Sequence, residues 1–202
     1  QGMTFHLSTK VSGADFTPQG ITLRTDKDSF AADVVLVAVG RKPYTAQLNL
    51  GQLGITLTPK GTIPINDRFQ TAIPSIYAIG DVVDGPMLAH KASEEGIAAA
   101  EIIAGQAPVL NYIAIPNVIY ISPEVAAVGL TEEEAQKLGR PVKIGQFPMK
   151  INSRAKCTGE EEGFVKVIAD TATDRLLGVH IISAHASELI AEGCIAIQNG
   201  LT

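Results

Sequence analysis

The stretch SIYAIGDVVDGPMLAHKASEEG, at residues 75–96, decides the fold class. Its first part, residues 76–79, is a short apolar run typical of a buried strand in a parallel sheet. That run ends in Gly80 and Asp81 and is followed by a Gly-Pro turn. The segment after the turn is rich in Ala, Ile and Glu, which predicts a helix over residues 87–104. A buried strand that leads through a tight turn into a helix indicates an α/β region.

The end of the predicted strand is a candidate binding site. In open parallel sheets, ligands bind beyond the carboxyl ends of the strands, where Asp81 lies. A carboxylate at that place can accept hydrogen bonds from sugar or ribityl hydroxyl groups, and Gly80 would let the backbone come close to the ligand. The alternative is that Asp81 caps the turn through its own side-chain hydrogen bonds. The local spacing leaves both interpretations open.

The predicted helix start offers a second group of candidates. Free N–H groups and the positive end of the helix dipole favour an electron-rich group, such as the N1–O2 edge of a flavin. Met87 and Leu88 would then contribute through their backbones, although core packing is the commoner use of such side chains. His90 lies in the first turn, where a lone histidine is more often a hydrogen-bonding residue than a general base.

The N-terminal third indicates β structure. Apolar residues alternate with polar ones over residues 5–11 and again over residues 21–25, which predicts two strands on either side of a Pro-Gln-Gly turn. The run VVLVAVG, at residues 34–40, is typical of a strand covered on both faces, and it ends at Gly40. Residues 44–73 are dense in turn signals and predict loops with short β pieces.

The best domain boundary lies at residues 106–116, beyond which the pattern indicates an α+β domain. Thr131 begins a helix with a T-x-x-E capping box. The last helix, over residues 186–198, carries an apolar stripe at spacings of four, three and four. The stripe consists of Ile190, Cys194, Ile197 and Leu201. The predicted strands are residues 118–121, 125–129, 142–148, 164–169 and 176–182.

Composition excludes several classes of function. Of the 202 residues, 46% are hydrophobic and only 18% charged, which indicates a surface covered by a partner or by further parts of a larger protein. The net charge of −5 argues against nucleic acid and anionic membranes as partners. No apolar run reaches the length of a membrane span, and the start does not resemble a signal peptide. The chain therefore reads as a fragment of a larger soluble protein.

Known catalytic and binding motifs are missing from the sequence. No two glycines are separated by a single residue, so there is no GxGxxG fingerprint for a pyrophosphate. The two cysteines, Cys157 and Cys194, form no CxxC pair and fit a reducing compartment. No spaced His/Cys cluster predicts a metal site. If a dinucleotide binds, this chain contributes only the second half of its site.

Longer motifs carry a family resemblance over nearly the whole chain. VLVAVGRKP and TAIPSIYAIGDVVDGPMLAHKASEEG resemble the paired late motifs of the pyridine nucleotide-disulfide oxidoreductases. NVIYISPEVAAVGLTEEEA, NSRAKCTGEEEGFVKVIAD and DRLLGVHII are similar to the members that oxidise dihydrolipoamide. GPMLAHKA and NSRAK are the segments that separate these members from glutathione and mercuric reductases.

The resemblance implies a division of the chain and a set of cofactor contacts. It implies the end of an NAD domain at residues 1–43, the second segment of an FAD-binding central region at 44–112, and an α+β interface domain with an antiparallel sheet at 113–202. FAD and NAD are the implied cofactors, and Gly40 matches the residue that meets NAD. Asp81, beside Gly80, matches the aspartate that binds the ribityl chain of FAD. The residues that match the flavin-lining stretch are Met87, Leu88, Ala89 and His90.

The resemblance also implies a reaction and partners. The intact enzyme would reoxidise dihydrolipoamide of 2-oxo acid dehydrogenase complexes and pass electrons through a disulfide and FAD to NAD. It would act as a homodimer with lipoyl domains as partners, in the cytoplasm or, in a eukaryote, the mitochondrial matrix. The family's cysteine pair and its catalytic histidine motif are absent here, so no catalytic residue is assigned, His185 included. Alternatives are a mercuric or glutathione reductase, or a non-enzymatic dimerisation module.

Overall fold

The computed structural model describes residues 2–202, and the chain divides into two compact units. The first ends at Lys42, and the second runs from Pro43 to Thr202. Each unit has its own secondary structure and is described by itself.

The first unit contains a three-stranded antiparallel sheet in the order β1-β2-β3. Its strands are β1 (Val11–Thr17), β2 (Gly20–Thr25) and β3 (Ser29–Ala32). The predicted Pro-Gln-Gly turn is confirmed, because β1 and β2 form a hairpin across it. The strand predicted over residues 5–11 is wrong. Pairing with β2 begins only at Val11, so the alternating residues before it have no partner strand.

The apolar run at residues 34–39 is not a strand among the described residues, which corrects a prediction from the sequence. Four of its side chains are between 75% and 91% exposed: Val34, Leu36, Val37 and Val39. A strand of this composition is stable only when neighbours pair with both of its edges and cover both of its faces. None of the strands described in residues 2–202 pairs with this run.

The second unit begins with loops and one long helix, α1 (Ala89–Ile103). The strand predicted at residues 76–79 is also wrong, because only an isolated antiparallel bridge joins Tyr77 to Gln70. Two apolar clusters fill the interior here without a sheet. One consists of Ile55, Ile63, Ala78 and Val83, and the other of Phe69, Ala98, Ala99 and Ile102.

The rest of the second unit is built on a five-stranded antiparallel sheet in the order β4-β5-β8-β7-β6. This arrangement confirms the predicted α+β domain with an antiparallel sheet, although β4 is shorter than expected. The strands are β4 (Asn117–Ile119), β5 (Glu124–Gly129), β6 (Val142–Pro148), β7 (Phe164–Asp170) and β8 (Leu176–Ser183).

Three helices accompany this sheet. The capping box of α2 (Glu132–Lys137) is confirmed, since the side chains of Thr131 and Glu134 each accept the other's backbone N–H. The short α3 (Ser153–Thr158) was not predicted. The last helix, α4 (Ala186–Gln198), has the predicted bounds and lies against β5 and β8.

The apolar stripe of α4 forms part of the core of this domain. Ile190 and Ile197 are buried against Ala126, Val128 and Val179, and Cys194 is half-buried beside them. Leu201 lies beyond the end of α4 and is 49% exposed, so its place in the stripe is wrong. Within residues 2–202, no helix combines the length and apolar content that crossing a bilayer would require.

Candidate functional site

A single 3₁₀ turn, Gly80–Val82, lies against the beginning of α1. Gly80 is buried and has φ +72°, a conformation that L-residues with side chains rarely adopt. A Cβ atom at this position would lie 3.1 Å from the Cβ of Ala92. Both constraints favour glycine here, because the turn and the helix approach each other closely at this point.

Asp81 is half-buried in this turn, directly after Gly80. The structure therefore places Asp81, the first candidate for a binding residue, next to α1, whose start was the second candidate. Gly85 follows in the loop between them, with φ +122°, and leads into Met87 and α1.

A buried ion pair beneath the turn was missed by the sequence analysis. Lys91 and Glu95 are each only 1% exposed, and Lys91 Nζ lies 3.0 Å from Glu95 Oε1. The backbone N–H of Gly80 donates to Glu95 Oε2 at 2.7 Å, and Lys91 Nζ donates to the carbonyl oxygen of Gly80 at 3.3 Å. The spacing of four residues was the available signal, but it usually marks a solvent-exposed pair.

Tyr112 completes this network. It lies in the segment before β4, and its hydroxyl donates to Glu95 Oε1 at 2.9 Å. Burial of the hydroxyl, with the hydrogen bond to Glu95 and the charge of that carboxylate, raises the pKa of Tyr112 to about 12. The Glu95 carboxylate thus accepts hydrogen bonds from Gly80, Lys91 and Tyr112.

The start of α1 lacks the usual caps. Leu88 is the N-cap residue and has no side-chain hydrogen bond, and the first turn contains no acidic residue. By contrast, α2 has a capping box and three glutamates at the same place. An electron-rich group fits beside a helix start of this kind, because the helix's own side chains do not offset its positive dipole end.

The remaining side chains of the stretch differ in exposure. Met87 and Leu88 are half-buried, whereas Ala89 and His90 are exposed. The ring of His90 donates from Nε2 to the carbonyl oxygen of Pro116 at 2.9 Å. His90 therefore acts as a hydrogen-bonding residue between α1 and the segment before β4, which is the interpretation that its position favoured.

Gly40, the candidate NAD contact, belongs to the first unit. Its φ is +100°, and a Cβ there would meet no atom within 4 Å, so its backbone conformation alone favours glycine.

The two cysteines and His185, whose side chains are capable of redox or metal chemistry, lie away from the turn at Gly80 in the sequence. Cys157 and Cys194 are free thiols, and burial raises the pKa of Cys194. His185 is exposed, with Nε2 3.3 Å from Glu160 Oε2. Across residues 2–202, no three His, Cys, Asp or Glu side chains are placed to hold a metal ion.

The class of protein follows from the family models that match the two main parts of the chain. The chain belongs to the pyridine nucleotide-disulphide oxidoreductase family, as the sequence motifs predicted. Residues 1–96 match the family model described as pyridine nucleotide-disulphide oxidoreductase, and residues 115–202 match its dimerisation domain.

Dihydrolipoyl dehydrogenases are among the similar relatives within this family. The mitochondrial enzyme of Caenorhabditis elegans is 50% identical over 206 residues, which cover 99% of this chain and 42% of that protein. The mitochondrial enzyme of Mus musculus is 48% identical over 207 residues, covering 99% of this chain and 41% of that protein. The chain thus spans about two fifths of the length of these relatives.

A solved structure agrees with the fold. LpdA from Mycobacterium tuberculosis matches with a TM-score of 0.88 and 25% sequence identity, over 96% of this chain and 43% of that one. The match covers both compact units, so the predicted fold class is confirmed.

Proposed function

We propose that this chain is part of a flavin-dependent dihydrolipoyl dehydrogenase and forms one side of its FAD site. The observation that carries the proposal is the turn holding Gly80 and Asp81, packed against an uncapped helix start, in a chain similar to dihydrolipoyl dehydrogenases over nearly its whole length. When bound, FAD would supply the electron transfer between a dithiol and NAD. The chain's own residues bind and orient it.

Each candidate residue has a role in this proposal. The Asp81 carboxylate would accept hydrogen bonds from the ribityl hydroxyl groups. The backbone N–H groups at the start of α1, near Ala89 and His90, would bind the electron-rich part of the flavin, and Met87 and Leu88 would contact its ring. Gly40 would contribute a contact to NAD. The hydrogen bond from His90 to Pro116 keeps the helix start in place.

The rest of the activity depends on residues beyond this chain. Cys157 lies in α3 and Cys194 in α4, and neither forms a disulfide, so the redox-active pair is proposed to belong to the longer protein. The domain from residue 115 onward supports homodimer formation. Lipoyl domains of 2-oxo acid dehydrogenase complexes are the proposed partners, in the cytoplasm or the mitochondrial matrix. The division of the chain into residues 1–43, 44–112 and 113–202 is also part of this proposal.

The binding role is tested by replacing Asp81 with alanine in the full-length protein. Loss of a charge-assisted hydrogen bond should weaken FAD binding by about 1–3 kcal/mol, or about 5- to 150-fold in the dissociation constant. Two measurements report this loss of affinity: the flavin content that remains after dialysis, and a fluorescence titration with FAD. Asp84→Ala is the matched control, because Asp84 is 73% exposed and pairs with Lys60 instead. Unchanged FAD retention in the Asp81 variant would contradict the proposal.

The reaction is tested with three substrates on the same protein. Turnover of NAD with dihydrolipoamide is the expected result. Oxidised glutathione and mercuric ion are electron acceptors and are tested with reduced nicotinamide as the electron donor. Turnover only with one of these two would assign the chain to another branch of the family.

A further inference from the structure

We propose that Lys91 and Glu95 are positioning residues for the FAD site: together they hold the peptide groups on both sides of Gly80 and so orient the carboxylate of Asp81. This inference rests on the proposed function, because it assumes that Asp81 binds FAD. It assigns a role to two residues to which the proposed function gives none.

The pair is hard to explain as a device for stability. An ion pair removed from water loses the hydration of both charges, and an apolar pair of similar volume often stabilises a protein equally well. Lys91 and Glu95 are both 1% exposed, so solubility does not explain their charges either. What an apolar pair could not do is bond to the backbone of Gly80.

The backbone at Gly80 needs such support. Glycine without a side chain can adopt many φ and ψ values, so its neighbours must select one. The turn is only three residues long, and its own backbone hydrogen bond, from the N–H of Val83 to the carbonyl oxygen of Gly80, is 3.3 Å long. The shorter bond, at 2.7 Å, is the one from the Gly80 N–H to Glu95. The Gly80 carbonyl, which belongs to the peptide that joins Asp81, also accepts from Lys91.

Lys91 contacts both ends of the loop between Asp81 and α1. A Cβ atom on Gly85 would lie 3.1 Å from Cε and 3.4 Å from Nζ of Lys91, so the side chain passes directly beneath this glycine. One buried side chain thus sets the distance between the turn that carries Asp81 and the loop that leads into the helix start.

The network is anchored at its outer end. Tyr112 donates to the second oxygen of Glu95, and it lies in the 3₁₀ turn Tyr112–Ala114. Ala114 of that turn packs against the core of the five-stranded domain. Through Glu95 and Tyr112, the hydrogen bonds therefore link Gly80 to the dimerisation domain and not only to its own loop.

The test compares two uncharged variants of the full-length protein, Lys91→Met/Glu95→Gln and Lys91→Met/Glu95→Leu. Glutamine keeps an oxygen that accepts the Gly80 N–H, and leucine does not. We expect FAD affinity in the glutamine variant to be about threefold weaker than in the unsubstituted protein, because the Gly80 carbonyl loses its donor from Lys91. In the leucine variant it should be at least about a further tenfold weaker, because the Gly80 N–H loses its acceptor as well. The fluorescence that FAD recovers when it leaves the protein measures the affinity of both variants. Glu94→Leu, at the exposed neighbouring position, is the control and should bind normally.

A double-mutant cycle separates positioning from a merely structural role. Both variants are repeated in an Asp81→Ala background. If the network acts through Asp81, the difference between glutamine and leucine falls to within about twofold there. If the difference persists unchanged, the inference is overturned. Should the leucine variant not fold, Lys91→Met/Glu95→Met replaces it, because methionine is also uncharged, fits irregular spaces and has no oxygen to accept the Gly80 N–H.

The two proposals fail in different ways. A full-length protein that binds no FAD would overturn the proposed function and this inference with it. A protein that binds FAD, but equally well with glutamine or leucine at position 95, overturns this inference alone.

Discussion

Replacing Gly193 with alanine should destabilise α4, although the same change in the middle of a helix usually stabilises it. Gly193 faces the sheet at the point where α4 crosses β5 and β8. A Cβ atom there would lie 3.1 Å and 3.3 Å from Cβ and Cγ2 of Val179, and 3.2 Å from Cγ1 of Val128. These distances are shorter than ordinary contacts between carbon atoms.

Two effects of opposite sign decide the outcome. Alanine improves helix propensity over glycine by about 1 kcal/mol. Overpacking a close-packed interior costs about 1–3 kcal/mol. Both valines are β-branched residues on strands with restricted χ1, so they cannot turn aside and the helix must shift instead. The net effect is a loss of up to about 2 kcal/mol.

Gly96→Ala in α1 provides a matched control of the opposite sign. Its Cβ would meet only Cδ1 of Ile79, at 3.4 Å, which is an ordinary contact with the end of a flexible side chain. The propensity gain should therefore survive, and α1 should be stabilised by about 0.5–1 kcal/mol.

Native-state hydrogen exchange on the full-length protein measures each helix separately. Amides of α4 should exchange up to about 30-fold faster in the Gly193 variant, and those of α1 about two- to fivefold slower in the Gly96 variant. If Gly193→Ala slows exchange in α4 as Gly96→Ala does in α1, the packing argument is refuted.

Three further predictions concern the dimerisation domain. Ile190→Ala should lower the free energy of unfolding by about 2–5 kcal/mol, because this side chain is 2% exposed. The control is Ile195→Ala in the same helix, where the side chain is 62% exposed and the free energy of unfolding should change by no more than about 0.5 kcal/mol. Urea denaturation measures both. The Ser187 N–H donates to Glu124 and holds the pKa of that carboxyl below its ordinary value of 4.5. The stabilisation is therefore present above pH 4.5 and lost as pH falls through the lowered pKa, and Glu124→Gln should flatten this part of the urea-midpoint profile. Thr131→Ala removes the cap of α2 and should cost about 1 kcal/mol, read as faster amide exchange in its first turn; an unchanged rate would count against the capping argument.

Local patterns predicted the elements whose determinants lie within one segment. The capping box at Thr131 and the bounds of α4 could be inferred because caps and helical periodicity involve residues only a few positions apart. The runs at residues 34–39 and 76–79 were wrongly predicted as strands, because a strand exists only through its partners. The sequence of a run carries no information about whether those partners are present.

The residues of the candidate site could likewise be predicted only where the signal is local. Asp81 was identified from its position after an apolar run and a glycine. Lys91 and Glu95 were missed because a helix pattern does not reveal which face a neighbouring loop will cover. Burial of this pair follows from the path of residues 80–85, which depends on the left-handed conformations of Gly80 and Gly85.

The uncovered run at residues 34–39 has a consequence for synthesis and handling of the polypeptide. Six consecutive uncharged residues, four of them valine and none of them proline, are the kind of segment that stacks with copies of itself. Asp33 stands immediately before the run, and Arg41 and Lys42 follow it after Gly40. Charges placed in this way act as gatekeepers, since stacking the run in register would bring like charges together. The charged residues on both sides of this run thus oppose its self-association in the nascent chain.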